Sequence, residues 1–174
     1  EETVYALRAV HGVFANRDGG NAELLKAASA WWLSHATGLR ALGYGERVAR
    51  TDIAAFESAA RADTVPGYRV FDRPYPSMPA ASDSHVAAVR AIEPMSRNAA
   101  ALGVNSLSVP AAREALLEAI RGGEPVATDG FALSQAAPGE SVGIVVYLAL
   151  YRGSPASDDE RLAAWRGSVF ATLN

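Results

Sequence analysis

Apolar side chains recur at three- and four-residue steps in two stretches near the start of the chain. In residues 1–16 these positions are Val4, Leu7, Val10, His11 and Phe14, and in residues 22–36 they are Leu24, Leu25, Ala28, Trp31, Trp32 and His35. This spacing places the apolar groups on one face of a helix. The pattern therefore predicts two consecutive helices, and it favours a place in the core for the two adjacent tryptophans.

After residue 36 the pattern predicts strands mixed with shorter helices. Strands are predicted at 39–48, 68–71, 85–92, 125–133, 142–151 and 167–173, where apolar runs or alternation prevail. Helices are predicted from Thr51 or Asp52 to residue 62, and at 98–102, 111–121 and 160–166. The glycine pair 122–123 is typical of a helix end.

The most apolar strand, 142–151, is expected at the centre of a sheet, because its side chains are apolar on both faces. A short connection separates it from the strand at 125–133, so the two are expected to pair as an antiparallel hairpin. The sequence shows no regular alternation of strand and helix with glycine-rich crossovers. It therefore predicts an α+β fold built on an antiparallel sheet.

Composition and motifs exclude several classes of protein. The formal net charge of −3 argues against nucleic-acid binding, which normally needs a basic surface. The sequence has no cysteine, no H-x-x-x-H pair, no glycine-rich phosphate loop and no nucleophile elbow. His11 and His35 are expected to be structural histidines on helices. The sequence thus predicts no catalytic residue, no metal site and no cofactor.

Two isolated carboxylates keep one enzymatic alternative open. Glu93 precedes Pro94 and Asp129 precedes Gly130, and a small hydrolase would require such groups to converge in a cleft. The acidic cluster at 158–160 is explained by charge at a helix N-terminus. An α+β domain without visible catalytic machinery is expected to bind something rather than transform it.

An ordered set of short motifs runs through almost the whole chain. These motifs are Gly38 to Tyr44, Arg47-Val48, Phe56-Glu57 with Arg61, Tyr68 to Val70, Glu93-Pro94, Asn98, Ala101 to Gly103, Pro110 with Arg113, Ala115 and Ala119, Gly122 to Pro125, Phe131 with Leu133, Gly143, Val146 to Arg152, Arg161 and Gly167. Residues 13–173 thereby resemble the CHASE domain, an extracytoplasmic sensory domain of histidine kinases and nucleotide or diguanylate cyclases. The chain departs from the family pattern at 86–89, Val104 and Ala149, and the first two departures bear on ligand identity.

The resemblance implies a PAS-like antiparallel sheet flanked by helices and preceded by a long N-terminal helix. One sensory domain, 1–174, would comprise the N-terminal helix 1–16 and a ligand-binding unit 17–174. The parent protein would be a bacterial receptor of the inner membrane, anchored by flanking transmembrane helices, with this domain in the periplasm. The domain itself would not be an enzyme.

The resemblance also implies a ligand site. Plant members of the family bind cytokinins, which are N6-substituted adenines, and a carboxylate in their pocket meets the adenine ring. By position, that carboxylate is Glu93, and the neighbouring pocket positions are Ala127, Thr128 and Gln135. A sheet face rich in alanine and glycine is expected to leave concave room for such a small molecule.

Signalling would follow from a shift between two conformations. Ligand binding is expected to close the proline-rich segment 72–84 over the sheet and to displace the N-terminal helix. The stripe of Leu7, Val10 and Phe14 suits a homodimer interface through that helix, and it equally suits packing on the domain's own sheet. A second function class, a module that recognises a periplasmic partner protein, is favoured if the sheet face is filled.

Overall fold

A computed structural model describes residues 1–75, 83–133 and 142–173, and these ranges form an α+β fold. The helices are α1 (Glu2–Ala15), α2 (Ala22–His35), α3 (Ile53–Asp63), α4 (Met95–Asn98), α5 (Pro110–Gly122) and α6 (Asp158–Ala164). The strands are β1 (Leu39–Ala49), β2 (His85–Glu93), β3 (Val126–Ala127), β4 (Ile144–Tyr151) and β5 (Trp165–Leu173). The described ranges contain no helix long and apolar enough to cross a membrane.

The five strands form one antiparallel sheet in the order β2-β1-β5-β4-β3. The predicted pairing of the strands around 125–133 and 142–151 is confirmed, since Val126 lies opposite Tyr147. The prediction that 142–151 is central is wrong, because β5 occupies the middle of the sheet. Helices cover both faces, so the apolar character of β4 reflects two-sided burial rather than a central position.

One face of the sheet is covered by α1 and α2. Leu7, Val10, Phe14 and Leu25 are fully buried and pack against Leu42, Tyr44, Leu148, Leu150 and Val169 of the strands. Complete burial of each large side chain contributes about 1.5–3 kcal/mol to folding. The apolar stripe of α1 is therefore taken up by the domain's own sheet.

The opposite face of the sheet is covered by α5 and the segment before it. Pro110 stands in the first turn of α5, and Gly123 ends the helix with φ +70°, as the sequence predicts. Leu116 and Ile120 are fully buried against this face. Tyr151 at the end of β4 donates from its hydroxyl to the carbonyl of Ile120 at 2.5 Å, which fixes the helix end to the sheet.

The prediction of a strand at 68–71 is wrong. The backbone of this segment forms hydrogen bonds with a side chain and with turns, and it does not join the sheet. The Val70 amide donates to the Glu57 carboxylate at 2.9 Å, and only Phe71 forms a bridge, to Val104. The Tyr68 ring is buried, which explains the apolar alternation. Gly103, at φ +82°, passes so close to the carbonyl of residue 69 that a Cβ there would overlap it.

Other predicted elements differ in extent, and one predicted segment is described only in part. Of 125–133, only Val126–Ala127 form a strand, followed by a single bridge from Phe131 to Gly143. The helix predicted at 98–102 begins earlier, at Met95, and continues as a 3-10 turn from Ala99 to Ala101. The segment 72–84 is described only at 72–75 and 83–84, so most of the predicted closing segment lies outside the described residues.

The predicted core position of the two tryptophans is correct only in part. Trp32 packs against the cluster beneath α2, whereas the side chain of Trp31 is 59% exposed. The buried line on α2 runs through Leu25 and Ser29 towards Trp32, at helical spacing. Trp31 lies about 100° around the helix from that line, where its ring stacks on His35 at 4.3 Å.

Candidate functional site

A small cavity lies between the sheet and α5. Its volume is about 40 Å³, and its walls come from β2, β4, β5, the turn around Ser106, α5 and residues 131–133. Val89, Val145 and Phe170 give it an apolar character, while polar atoms come from Ser106, Tyr147 and Thr172. An apolar cavity with a few convergent polar groups is typical of a small-molecule site.

Two aromatic rings fill much of the room that the small residues leave. Gly43 lies under the ring of Phe170, and a Cβ at that glycine would overlap the ring. Phe170 and the neighbouring Tyr147 have ring centroids 5.9 Å apart. The strands do contain the small residues from which a concave face is expected. The described residues nevertheless leave space for little more than one water molecule, whose share of liquid volume is about 30 Å³.

The hydroxyl groups at the cavity differ in how they are satisfied. Burial raises the pKa of Tyr147 to about 12, and a hydrogen bond with Ser106 offsets part of the rise. The Tyr147 hydroxyl is thus a neutral hydrogen-bonding group at physiological pH. Thr172 is 1% exposed, and its Oγ1 has no hydrogen-bond partner among the residues that the structure describes.

The predicted carboxylate lies away from this cavity. Glu93 is the last residue of β2, and it pairs with Leu42, which belongs to the α1 and α2 face. Ile92, one residue earlier, packs on the α5 face, so strand alternation turns Glu93 to the opposite side. Glu93 is half-buried, and its peptide bond to Pro94 is cis.

The other predicted positions lie at the far edge of the sheet. Ala127 is exposed in β3. The Thr128 amide donates to the Val145 carbonyl at 2.8 Å, and its Oγ1 accepts from the Val145 amide at 3.0 Å. This side chain extends the pairing of β3 with β4 and supports a cavity wall. Gln135 lies outside the described residues.

The sheet order keeps the predicted residues apart. β2 and β3 are the two edges of the five-stranded sheet, and strands about 4.8 Å apart place Glu93 about 19 Å from Ala127. One small molecule does not span that distance. The same separation keeps Glu93 from Asp129, so the convergence that the hydrolase alternative requires does not occur.

Two histidines are held by backbone carbonyls, as the structural interpretation predicts. His11 Nε2 donates to the carbonyl of Ala149 at 2.9 Å, and His35 Nδ1 contacts the carbonyl of Trp31 at 2.7 Å. Burial lowers the pKa of His11. No group of three or more His, Asp or Glu side chains within residues 1–75, 83–133 and 142–173 is placed to hold a metal ion.

The residues that line the cavity carry only a weak sequence signal. Thr172 is a hydroxyl-bearing residue between the apolar Ala171 and Leu173 in the final strand, which also contains Ser168. Tyr147 is an aromatic residue in a run of aliphatic ones. The alternation of side chains along each strand puts both residues on the same face of the sheet. The sequence alone does not show which face of the sheet is incompletely filled by the elements packed on it.

Comparison with known proteins identifies the family. A family model described as the CHASE domain matches residues 21–174, nearly the whole chain. A search of curated proteins found no match.

Proposed function

The chain belongs to the CHASE family of extracellular sensory domains of signalling receptors, and from this premise we propose that it binds a small molecule in the cavity between the sheet and α5. Sensing, not catalysis, is the role of this family. The ligand would occupy the apolar walls and bond to hydroxyls of Thr172, Tyr147 and Ser106.

The unpartnered hydroxyl of Thr172 is the observation that carries this proposal. A buried polar group without a partner costs about 1–3 kcal/mol. Here the group faces a cavity with two further hydroxyls nearby. A ligand atom that bonds to Thr172 Oγ1 would remove this penalty, which gives the ligand a source of affinity beyond apolar contact.

The size of the cavity implies that binding selects a more open conformation. Pockets for drug-sized molecules occupy about 300–1,000 Å³, whereas this one occupies about 40 Å³. The ligand therefore binds a minor state in which a wall such as Phe170 has moved. Adenine-like cytokinins are one ligand class to test, since the family resemblance suggested them.

Strands β4 and β5 offer a route from the cavity to α1. Tyr147 and Thr172 face the cavity, while the other side of the same strands contacts α1. His11 bonds to the Ala149 carbonyl of β4, and Arg166 Nη2 donates to the Phe14 carbonyl at 2.7 Å. A ligand-driven displacement of these strands would thus move α1.

The two ends of the described chain lie at one end of the molecule. Leu39 pairs with Leu173 of β5, and Glu2 of α1 accepts a hydrogen bond from the Thr37 amide at 3.2 Å. Because family membership suggests flanking transmembrane helices, we propose that the membrane of the parent receptor, a histidine kinase or diguanylate cyclase of the inner membrane, lies on this side of the domain. A homodimer through α1 would use its outer side, where Tyr5 is 62% exposed, because the stripe with Leu7 is buried.

Thermal unfolding against a panel of adenine derivatives, amino acids and small organic acids tests the cavity. A ligand at 100 times its dissociation constant adds about 2.7 kcal/mol of stability. Thr172→Val keeps the shape and removes the hydroxyl, so we expect about a tenfold weaker affinity and a free protein that is more stable by up to about 1–3 kcal/mol, because the unpartnered hydroxyl is gone. A matched variant, Thr128→Val, should lower the stability by about 1–3 kcal/mol because it leaves the Val145 amide unpaired.

A ligand that binds equally well to the wild type and Thr172→Val would place the site elsewhere and contradict the proposal. Glu93→Ala, measured in the same panel, tests the separate prediction that its carboxylate contacts the ligand. A loss of affinity in Glu93→Ala alone would assign the site to the β2 edge.

The near-filled cavity favours a second candidate, recognition of a periplasmic partner protein. The described walls leave about 40 Å³, which is the outcome that a protein-binding module predicts. Native mass spectrometry of the purified domain, together with the panel, distinguishes the two. An empty spectrum and a flat panel support the partner protein, and a bound small molecule excludes it as the primary role.

A further inference from the structure

A second and larger cavity, here called the polar cleft, lies at the other end of the molecule from the chain ends. Its volume is about 630 Å³, within the usual range for small-ligand sites of about 300–1,000 Å³. Its walls come from the α1–α2 connection, the last part of β1, the starts of β2 and β5, Arg152 and α6. It shares no lining residue with the cavity on the α5 face.

Three arginines line the polar cleft without an acidic partner. Within the described ranges, no carboxylate lies within 4 Å of the guanidinium of Arg47, Arg152 or Arg166. Other arginines of the domain do form such pairs, for example Arg113 with Asp83 at 2.6 Å. The cleft therefore holds positive charge that the protein itself leaves available.

Backbone carbonyls fix the orientation of two of these guanidiniums. Arg166 donates from Nη2 to Phe14 and from Nε to Tyr151, at 2.7 and 3.3 Å. Arg47 donates from Nη1 to Trp165 at 3.1 Å and stacks over that indole ring, 5.5 Å from its centroid. Each guanidinium is thus held in place before any ligand arrives, which reduces the entropy cost of binding.

Each fixed guanidinium retains one buried nitrogen without an acceptor. These atoms are Arg47 Nε and Arg166 Nη1, and neither has a hydrogen-bond partner in the part of the chain that the structure describes. Buried N–H groups in proteins are almost always satisfied, so an orphan indicates a missing acceptor. A carboxylate has two acceptor oxygens, one for each of these two N–H groups, and charged hydrogen bonds of this kind are among the strongest in proteins.

Acidic side chains in the same cleft restrict which anion suits it. Glu46 lies near Arg166, and Asp18 and Asp52 are exposed at the rim. Glu46 accepts from the Tyr44 hydroxyl at 3.1 Å. These carboxylates repel a dianion or polyanion and attract a cationic group. The charge pattern therefore suits a ligand that carries both signs.

The end of the sheet opens one side of the cleft. The pairing of β1 with β5 stops at Glu46 and Gly167, whereas its pairing with β2 continues to Ala49 and His85. The edge of β1 beyond Glu46 consequently has no neighbouring strand on the side of Trp165. A small molecule can approach the arginines along this gap.

We propose that the polar cleft is a second binding site, separate from the α5-face cavity, for a small carboxylate that also carries an ammonium group, as amino acids do. Arg47 and Arg166 bind the carboxylate, and Arg152 adds positive charge at the entrance. Glu46 and the acidic rim receive the ammonium group.

Arginine side-chain NMR tests this proposal directly. The ¹⁵N-labelled domain is titrated at constant ionic strength with the common L-amino acids, acetate, methylamine and inorganic phosphate, and the Nε–Hε signals of Arg47 and Arg166 are followed. We expect at least one amino acid to shift both signals with a dissociation constant at least about tenfold lower than that of acetate or phosphate. Phosphate binding as tightly as every amino acid, or no shift of either signal, overturns the proposal.

Variants separate this site from a general effect of charge. Arg152→Gln should weaken amino-acid binding about tenfold and leave the thermal midpoint unchanged, because Arg152 is exposed and forms no side-chain hydrogen bond within the described ranges. Arg97→Gln removes another exposed arginine, outside the cleft, and should leave amino-acid binding unchanged. Thr172→Val should also leave amino-acid binding in the polar cleft unchanged. Equal loss in Arg152→Gln and Arg97→Gln contradicts a defined site.

Discussion

The two faces of the sheet are built from alternating residues of the same strands, yet they are packed in different ways. On the α1 and α2 face, Leu148 and Leu150 of β4 pack in one buried cluster with Leu7, Val10 and Phe14 of α1. On the α5 face, Val145 and Tyr147 of the same strand line a cavity that also holds the unpartnered hydroxyl of Thr172. The difference shows that one face is closely packed by large side chains, while the other retains the small cavity to which we assign the proposed binding site.

Among the variants that test this comparison, truncation of Phe14 is expected to change the free energy of unfolding most. Its ring is fully buried, lies 4.6 Å from the ring of Tyr44, and is in contact with Gly20. Phe14→Ala leaves a void and should lower the free energy of unfolding by about 3–5 kcal/mol. Urea denaturation measures this. Tyr5→Ala, on the exposed side of α1, should change the stability by no more than about 0.5 kcal/mol.

A methyl group at Gly43 should have an intermediate effect and act on the other face. A Cβ there overlaps the ring of Phe170, so Gly43→Ala forces the ring into the cavity and costs about 1–3 kcal/mol of stability. Small-molecule binding should be lost at the same time. Gly12→Ala is the matched control, because nothing lies within 4 Å of its Cβ position in α1, and it should stabilise by about 0.5–1 kcal/mol. Binding that survives Gly43→Ala would contradict the assigned cavity.

Titration of His11 should have the smallest effect. Burial lowers the pKa of His11 below 6.5, and the charges of Arg166 and Arg8 act in the same direction, against an opposing contribution of the Ala149 carbonyl. The unfolded chain then binds more protons than the folded one, so His11 contributes stability above pH 6.5 that is lost as the pH falls. His11→Gln should flatten the decrease in stability that begins as the pH falls below about 7.5. An unchanged slope in His11→Gln, compared with His35→Gln as control, would refute this.

The elements that the sequence predicts well are those whose signal is local. Helical spacing at 1–16 and 22–36 and the Pro110 and Gly123 limits of α5 depend on neighbouring residues, and the structure confirms them with shifts of one residue. The strand at 68–71 fails because Glu57 and Gly103, distant in sequence, take its backbone hydrogen bonds. The family could also be recognised, because many short motifs in a fixed order extend over nearly the whole chain and together identify it even where single positions differ.

The sites were harder to predict because each is assembled from separate segments. The α5-face cavity depends on Thr172 at the end of the chain and Ser106 in a turn, and no spacing rule joins them. The unpartnered nitrogens of Arg47 and Arg166 lie where the pairing of β1 with β5 stops. This place is known only once the register of the two strands is known. A carboxylate such as Glu93 is easily noticed in the sequence. The face of the sheet on which it lies depends on the alternation of side chains along its strand, which the sequence alone does not fix.

The fastening of α1 has a mechanical consequence for signalling. Hydrogen bonds hold this helix at Glu2, His11 and Phe14, which covers most of its length of about 21 Å. A helix held at its start, beyond its middle and near its end resists bending between these points. Under the proposed function, motion of the strands would therefore be passed on as translation or rotation of the whole helix. The proposed receptor would then receive at its membrane side a displacement of nearly the size that the ligand produces.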